Sequence, residues 1–112
     1  MTLREKRCLF TALLVRLIDH INASGHECAL GEVVRDKRIA ELNAQAGTGI
    51  KRSNHIIGLA ADVNLYAAGV YLANSEAHRP FGEWWEQQHD LCRWGGRFND
   101  GNHYSLEHEG VK

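Results

Sequence analysis

The chain lacks most of the features that mark specialised protein classes. Its 112 residues include one proline, Pro80, and no low-complexity tract, internal repeat or interdomain linker. A single domain over residues 1–112 is expected, large enough for one core but too short for a second module. Cysteine is scarce and odd in number. Cys8, Cys28 and Cys92 are too far apart for a disulfide framework or a Cys-x-x-Cys zinc site, and they read as buried thiols of a protein made in a reducing compartment. Excess charge is missing too: 13 basic and 14 acidic side chains leave a net charge of −1, which points away from a nucleic-acid groove and from an anionic membrane surface. No apolar run approaches the about 20 residues of a membrane span. Stable membrane insertion is therefore not expected, and a monomer is. Gly47-Thr48-Gly49-Ile50-Lys51-Arg52 has two glycines but no Gly-Lys-Ser/Thr ending, so it reads as a loop rather than a phosphate cradle.

What is present begins with an amphipathic helix over about 3–24. Phe10, Leu13, Leu14, Leu17, Ile18 and Ile21 form a stripe at helical spacing, and Asn22, Ser24 and Gly25 supply the stop. Arg4, Lys6 and Arg7 before an apolar stretch imitate a signal peptide. Arg16 and Asp19 interrupt that stretch and no small-residue cleavage site follows, so no signal peptide is expected. Cys28 to Arg35 reads as a strand interrupted at Gly31, and Asp36 caps a candidate helix over Lys37 to Ala46. Ala67 to Val70 reads as a turn before a short return strand at Tyr71 and Leu72. Pro80, Phe81, Trp84, Trp85, Gln88 and Cys92 follow helical spacing, with Pro80 suited to a first turn and the tryptophans to core and rim packing.

Two stretches carry the chemistry. From Leu59 to Tyr66 apolar and polar residues alternate, which places Asp62 and Asn64 on the polar face of a half-buried strand. His103 to Glu107 alternates likewise, with Tyr104 and Leu106 toward a core, so Asp62 and His103 can project from one sheet face. His55 lies seven residues before Asp62, a span of roughly 23 Å if extended, whereas zinc donors lie about 2.0–2.2 Å from the ion. The chain must fold back between them, and Gly58 suits the turn. In a continuous strand Asp100 would face away from His103. The Asn99-Asp100-Gly101-Asn102 cluster must then be a loop that turns both inward. The remaining histidines, His20, His26, His78, His89 and His108, read as surface or capping residues.

Ser53-x-His55 followed by Asp62, then Trp94-Gly95-Gly96, then Asp100-x-x-His103-Tyr104, resembles the M15 family of zinc peptidases. That family includes D-alanyl-D-alanine carboxypeptidases and the L-alanyl-D-glutamate endopeptidases of phage endolysins, and the small endolysins resemble this chain most in length and layout. The resemblance runs from about Gly31 to Glu107. It implies an α+β fold, a small antiparallel sheet flanked by helices, with one zinc ion on His55, Asp62 and His103 and with Asp100 as catalytic acid/base. Arg35 is implied as the carbonyl or oxyanion contact. Ser53, Arg52 and Asn64 become candidate substrate-side or supporting residues. Three protein donors leave a fourth position open, as catalytic zinc requires.

The implied substrate is the peptidoglycan stem peptide, cut at L-alanyl-D-glutamate by a phage endolysin that stays in the cytoplasm of the producing cell until a holin or lysis releases it. The alternatives are a D-alanyl-D-alanine carboxypeptidase, a non-catalytic wall- or tail-binding module, and a metal-dependent nuclease. Asp100 argues against the silent module, and balanced charge argues against the nuclease.

Overall fold

The computed structural model describes residues 1–33 and 54–112. Arg35, Arg52, Ser53, Lys51 and the candidate helix after Asp36 lie outside the described residues. Helix α1 (Leu3–Ala23) opens with a capping box: the Thr2 hydroxyl accepts from the Glu5 N–H at 3.1 Å, and the Glu5 carboxylate accepts from the Thr2 N–H at 3.1 Å. It stops where the stripe predicts. Ser24 caps it, Gly25 takes a φ of +87°, and the His26 N–H returns to the Ile21 carbonyl. Phe10, Leu13, Leu14, Leu17 and Ile21 are buried, each worth about 1.5–3 kcal/mol of apolar burial.

The sheet is antiparallel. Strands β1 (Glu27–Leu30), β2 (Ala60–Ala67), β4 (Cys92–Trp94) and β5 (His103–Leu106) run in the order β1-β2-β5-β4, and β3 (Val70–Tyr71) folds back on β2. Ala68 and Gly69 connect β2 to β3 with positive φ at both residues, the sign pattern of a type I′ hairpin. A 3-10 turn (Ser75–His78) leads into helix α2 (Arg79–Glu86), with Pro80 in its first turn as expected.

The alternation along β2 sorts the sheet into two faces. Leu59, Ala61, Val63 and Leu65 join Tyr104, Leu106, Cys92 and Trp94 in a core shared with α1, Phe81 and Trp85. Both described helices therefore cover one face of the sheet. Asp62, Asn64, His103 and Ser105 point to the other.

Four expectations change. Cys92 lies on β4 rather than on the helix, because α2 ends at Glu86 and the polar run Gln87-Gln88-His89-Asp90 turns the chain. The return strand spans Val70–Tyr71, one residue earlier than read. Of the three thiols only Cys92 is buried; Cys28 is half-buried and Cys8 is exposed, because residue 8 falls off the apolar stripe of α1. His78 is not a surface histidine but is 2% exposed, with Nδ1 at 2.9 Å from the Tyr104 hydroxyl. No helix among the described residues is long and apolar enough to cross a membrane.

Candidate metal centre

The site is built across two strands. Asp62 of β2 and His103 of β5 are direct register partners. The Val63 N–H bonds the Asn102 carbonyl on one side, and the Leu106 N–H bonds the Leu59 carbonyl farther along. By the alternation of antiparallel ladders, the 62–103 pair between 63–102 and 61–104 is a non-hydrogen-bonded one, the type whose side chains stand closest. Opposite β5, β1 bulges against the same residue. The Gly31 N–H bonds the Asp62 carbonyl at 2.8 Å while the Asp62 N–H bonds the Glu32 carbonyl at 2.7 Å, so two residues face one. A Cβ on Gly31 would lie 3.3 Å from that of Asp62, which gives the sequence interruption at Gly31 its reason.

His55 reaches the same point from the turn before β2. Gly58, at φ +75°, closes that turn with its N–H on the His55 carbonyl. Asn54 anchors it: its buried Nδ2 donates to the Leu106 carbonyl at 2.7 Å and the Val111 carbonyl at 2.8 Å, and its own carbonyl receives the Leu59 N–H. The segment carrying His55 is thereby pinned to the end of the strand carrying His103.

His55, Asp62 and His103 each offer one ligand atom, and these lie within 4.8 Å of one another. His55 Nε2 stands 3.2 Å from Asp62 Oδ1, and His103 Nδ1 stands 3.8 Å from the same oxygen. The far nitrogens have backbone partners: His55 Nδ1 lies 3.4 Å from the Val33 carbonyl, and His103 Nε2 lies 3.2 Å from the Lys112 carbonyl. A carbonyl can only accept, so each far nitrogen carries a proton, and each near nitrogen, which faces Asp62, can offer a lone pair to an ion that displaces its own proton, which is how histidine ligands are held around metals. Glu32 adds a carboxylate 3.8 Å from His55 Nδ1.

Burial opposes charge on both partners of the His55–Asp62 pair, and their attraction outweighs it. Burial alone would lower the His55 pKa; the hydrogen bond and charge of Asp62, with Val33 and Glu32, raise it instead. Burial alone would raise the Asp62 pKa; His103 and His55 hold the carboxyl far below its usual range. Asp62 is thus an anion at neutral pH, and a His/His/Asp set suits zinc among the divalent ions.

Asp100 stands beside this set. Its Oδ2 is 4.0 Å from His103 Nδ1, and its side chain is 53% exposed. The loop that delivers it turns at Asn99, which takes a left-handed φ of 64°. Its N–H bonds the Gly95 carbonyl at 2.8 Å, and its carbonyl accepts the His103 N–H at 3.1 Å. The next residue, Gly101, is held at both ends, by Trp94 Nε1 donating to its carbonyl at 2.7 Å and by its N–H donating to Ser75 Oγ at 3.0 Å.

The same contacts account for the Trp-Gly-Gly sequence. A Cβ on Gly95 would fall 2.1 Å from the Asp100 carbonyl oxygen, and one on Gly96 would fall 2.2 Å from the Trp94 ring. Ser75, Asn54, Val33 and Glu32 were not singled out from the sequence, because each acts through a partner distant along the chain. Asn64 shares the face of Asp62, and its Oδ1 lies 3.4 Å from Asn102 Nδ2, a brace one residue before His103.

Comparison with known proteins matches residues 46–106, more than half of the chain, to the peptidase family M15 group described as D-alanyl-D-alanine carboxypeptidase. The chain belongs to the M15 peptidase family. The match takes in His55, Asp62, Asp100 and His103 together. The fold of this M15 peptidase is similar to the crystal structure of the Serratia marcescens L-Ala D-Glu endopeptidase ChiX, with a TM-score of 0.68 and 24% identity over 84% of this chain and 77% of that one. No curated protein matches the chain.

Proposed function

We propose that this M15 peptidase is a zinc-dependent peptidoglycan hydrolase that cuts the L-alanyl-D-glutamate bond of the stem peptide, as a phage endolysin released to the wall by a holin or by lysis. The observation that carries this reading is the free-standing Asp100 carboxylate, 4.0 Å from a histidine of a His/Asp/His set. A purely structural metal site has no use for a second, exposed acid beside it. Zinc held by His55, Asp62 and His103 would supply a Lewis acid that polarises the amide carbonyl and acidifies water. Asp100 takes the proton from the attacking water and delivers it to the leaving amine. Asp62, held ionised by both imidazoles, offsets positive charge at the centre. Arg35, assigned on family resemblance, steadies the developing oxyanion.

The choice of bond is supported by the fold shared with the ChiX endopeptidase. The family description supports a second reading, a carboxypeptidase that releases D-alanine. Mass spectrometry of purified peptidoglycan digested by the zinc-loaded protein, with a chelator-treated control, separates them. A metal-dependent glutamate amino terminus supports the endopeptidase, and free D-alanine supports the carboxypeptidase. No cleavage by fully zinc-loaded protein would overturn both in favour of a binding module.

A further inference from the structure

The open face of the sheet does not end at the candidate metal ligands but runs on along β2. Asp62, Asn64 and Tyr66 follow one another on that face at every second residue, so Tyr66 stands about 13 Å from Asp62 at the rise of a strand. Tyr66 is paired at both edges, with Glu27 of β1 and with Tyr71 of β3. Leu72, the residue after Tyr71, packs against the core, so Tyr71 points the other way, to the side of Tyr66. The two rings meet with centroids 5.4 Å apart and planes at 48°, and Tyr71 is 51% exposed. The tight turn at Ala68 and Gly69 holds them on adjoining strands.

The ground between Asp62 and this aromatic pair is low and polar. Ala29 is the register partner of Asn64, and a Cβ on Gly31 would come within 3.5 Å of Asn64 Nδ2, so β1 raises no large side chain there. Asn64 Oδ1 accepts from Asn102 Nδ2 at 3.4 Å, and its own Nδ2 has no acceptor among the described residues. We propose that Tyr66 and Tyr71 form a subsite for the glycan strand of the wall polymer, with Asn64 donating to a carbonyl of the linker between sugar and scissile bond. The inference rests on the peptidase reading above and deepens it. The stem peptide is joined to sugar through its L-alanine. A bond cut on the far side of that alanine lies one lactyl and one alanyl unit from the first sugar, roughly 7 Å of extended chain. A strand laid along β2 therefore brings sugar rings, not the amide, over the tyrosines. A sugar ring has C–H faces that pack on aromatic rings and hydroxyls at its edge. The tyrosine faces, their phenol oxygens and the exposed Glu27 carboxylate match both. Among the strand partners of the pair no cation stands to meet the carboxylate that ends a stem peptide, which favours the sugars over the far end of the peptide.

The test uses two substrates with the same stem peptide, one joined to the disaccharide N-acetylglucosaminyl-N-acetylmuramic acid and the other capped at L-alanine by a lactyl group without sugar. The zinc-loaded protein is expected to show a KM about fivefold to tenfold lower for the sugar-bearing substrate, the size of an aromatic contact. The double variant Tyr66→Thr/Tyr71→Thr removes both rings and keeps β-branched side chains on the strands. It should bring the two KM values together by raising that of the sugar-bearing substrate, whereas Tyr71→Phe, which keeps the ring, should retain the preference. Equal KM values in the parent protein, or a preference that survives in the double variant, would overturn the subsite. A KM that rises for both substrates alike would overturn it too, because the pair would then serve the peptide or the fold. If neither substrate is cut, the assigned bond is wrong, and an NMR titration with the free disaccharide still decides the subsite. Perturbed ring resonances of Tyr66 and Tyr71 sustain it, whereas unmoved ones sink it.

Discussion

Asp62 and His103 face each other across β2 and β5 as a non-hydrogen-bonded pair, with His103 Nδ1 3.8 Å from Asp62 Oδ1. That register is set by the apolar face beneath it. Slipping either strand by one residue would turn Leu59, Ala61, Val63 and Leu65, or Tyr104 and Leu106, out of the core. The hydrophobic pattern therefore holds two candidate metal ligands in place that share no local sequence.

Asp62→Asn keeps the shape of the pair and removes the anion. Zinc affinity should fall by at least about a hundredfold, since even the outer partners of metal ligands are worth ten- to a hundredfold. Titration against a competing chelator reads this, and an unchanged circular dichroism spectrum shows that the fold survives. In the parent protein, removing zinc should lower stability by about 2.7 kcal/mol relative to zinc at a hundred times its Kd. An affinity unchanged in Asp62→Asn would remove Asp62 from the ligand set.

Ser75→Ala takes away the acceptor of the Gly101 N–H and frees one end of the peptide group that follows Asp100. Zinc content should not change, because none of the three ligands touches Ser75. The turnover number should fall several-fold with KM little altered, and stability should drop by about 1 kcal/mol for the lost hydrogen bond. A fall in zinc affinity instead would mean that the loop supports the ligands rather than the acid/base.

Much of this architecture is legible in the sequence, and the illegible parts have a common cause. Alternation from Leu59 to Tyr66 places Asp62 on the open face, and the turn formers Asn99 to Asn102 announce a loop that brings Asp100 back toward His103. Both signals are local. Helical spacing misplaces Cys92, because residue 92 happens to fall in phase with α2 after the helix has ended at Glu86. His78 carries no local mark of burial, since what buries it is the Tyr104 hydroxyl, 26 residues away. Glu32 and Val33 reach His55 only through the bulge opposite Asp62, and that depends on strand pairing rather than on any motif.

Gly82 lies inside α2, where alanine ordinarily stabilises a helix by up to about 1 kcal/mol. Here a Cβ would sit 2.1 Å from the Trp94 ring, so the ring or the helix must move. Gly82→Ala should reverse the usual sign and destabilise by about 1–3 kcal/mol. Displacing Trp94 also loosens its bond to the Gly101 carbonyl, so turnover should fall with stability. A urea titration showing a more stable Gly82→Ala protein would contradict the close packing of Gly82 on Trp94.

His78 gives the stability its pH dependence. Burial pushes its pKa down from 6.5 to about 4, so the folded protein holds it neutral beside Tyr104 where the unfolded chain would take up a proton. Between those two values the unfolded state binds more protons, and stability must rise with pH. The contribution is therefore complete above about pH 6.5 and lost as pH falls toward 4. At 1.36 kcal/mol per unit it amounts to about 3 kcal/mol. The lowered pKa of Asp62 acts in the same direction but below 3.8, in a separate range. The raised pKa of His55 acts in the opposite direction above 6.5, so urea midpoints should fall steadily in the parent protein as pH drops from 6.5 to 4. In His78→Gln, which keeps a polar group near Tyr104 but cannot titrate, the slope over that interval should flatten, even though the variant starts from a lower stability. An unchanged slope would mean that another group carries the transition and that His78 titrates near 6.5 in the folded protein.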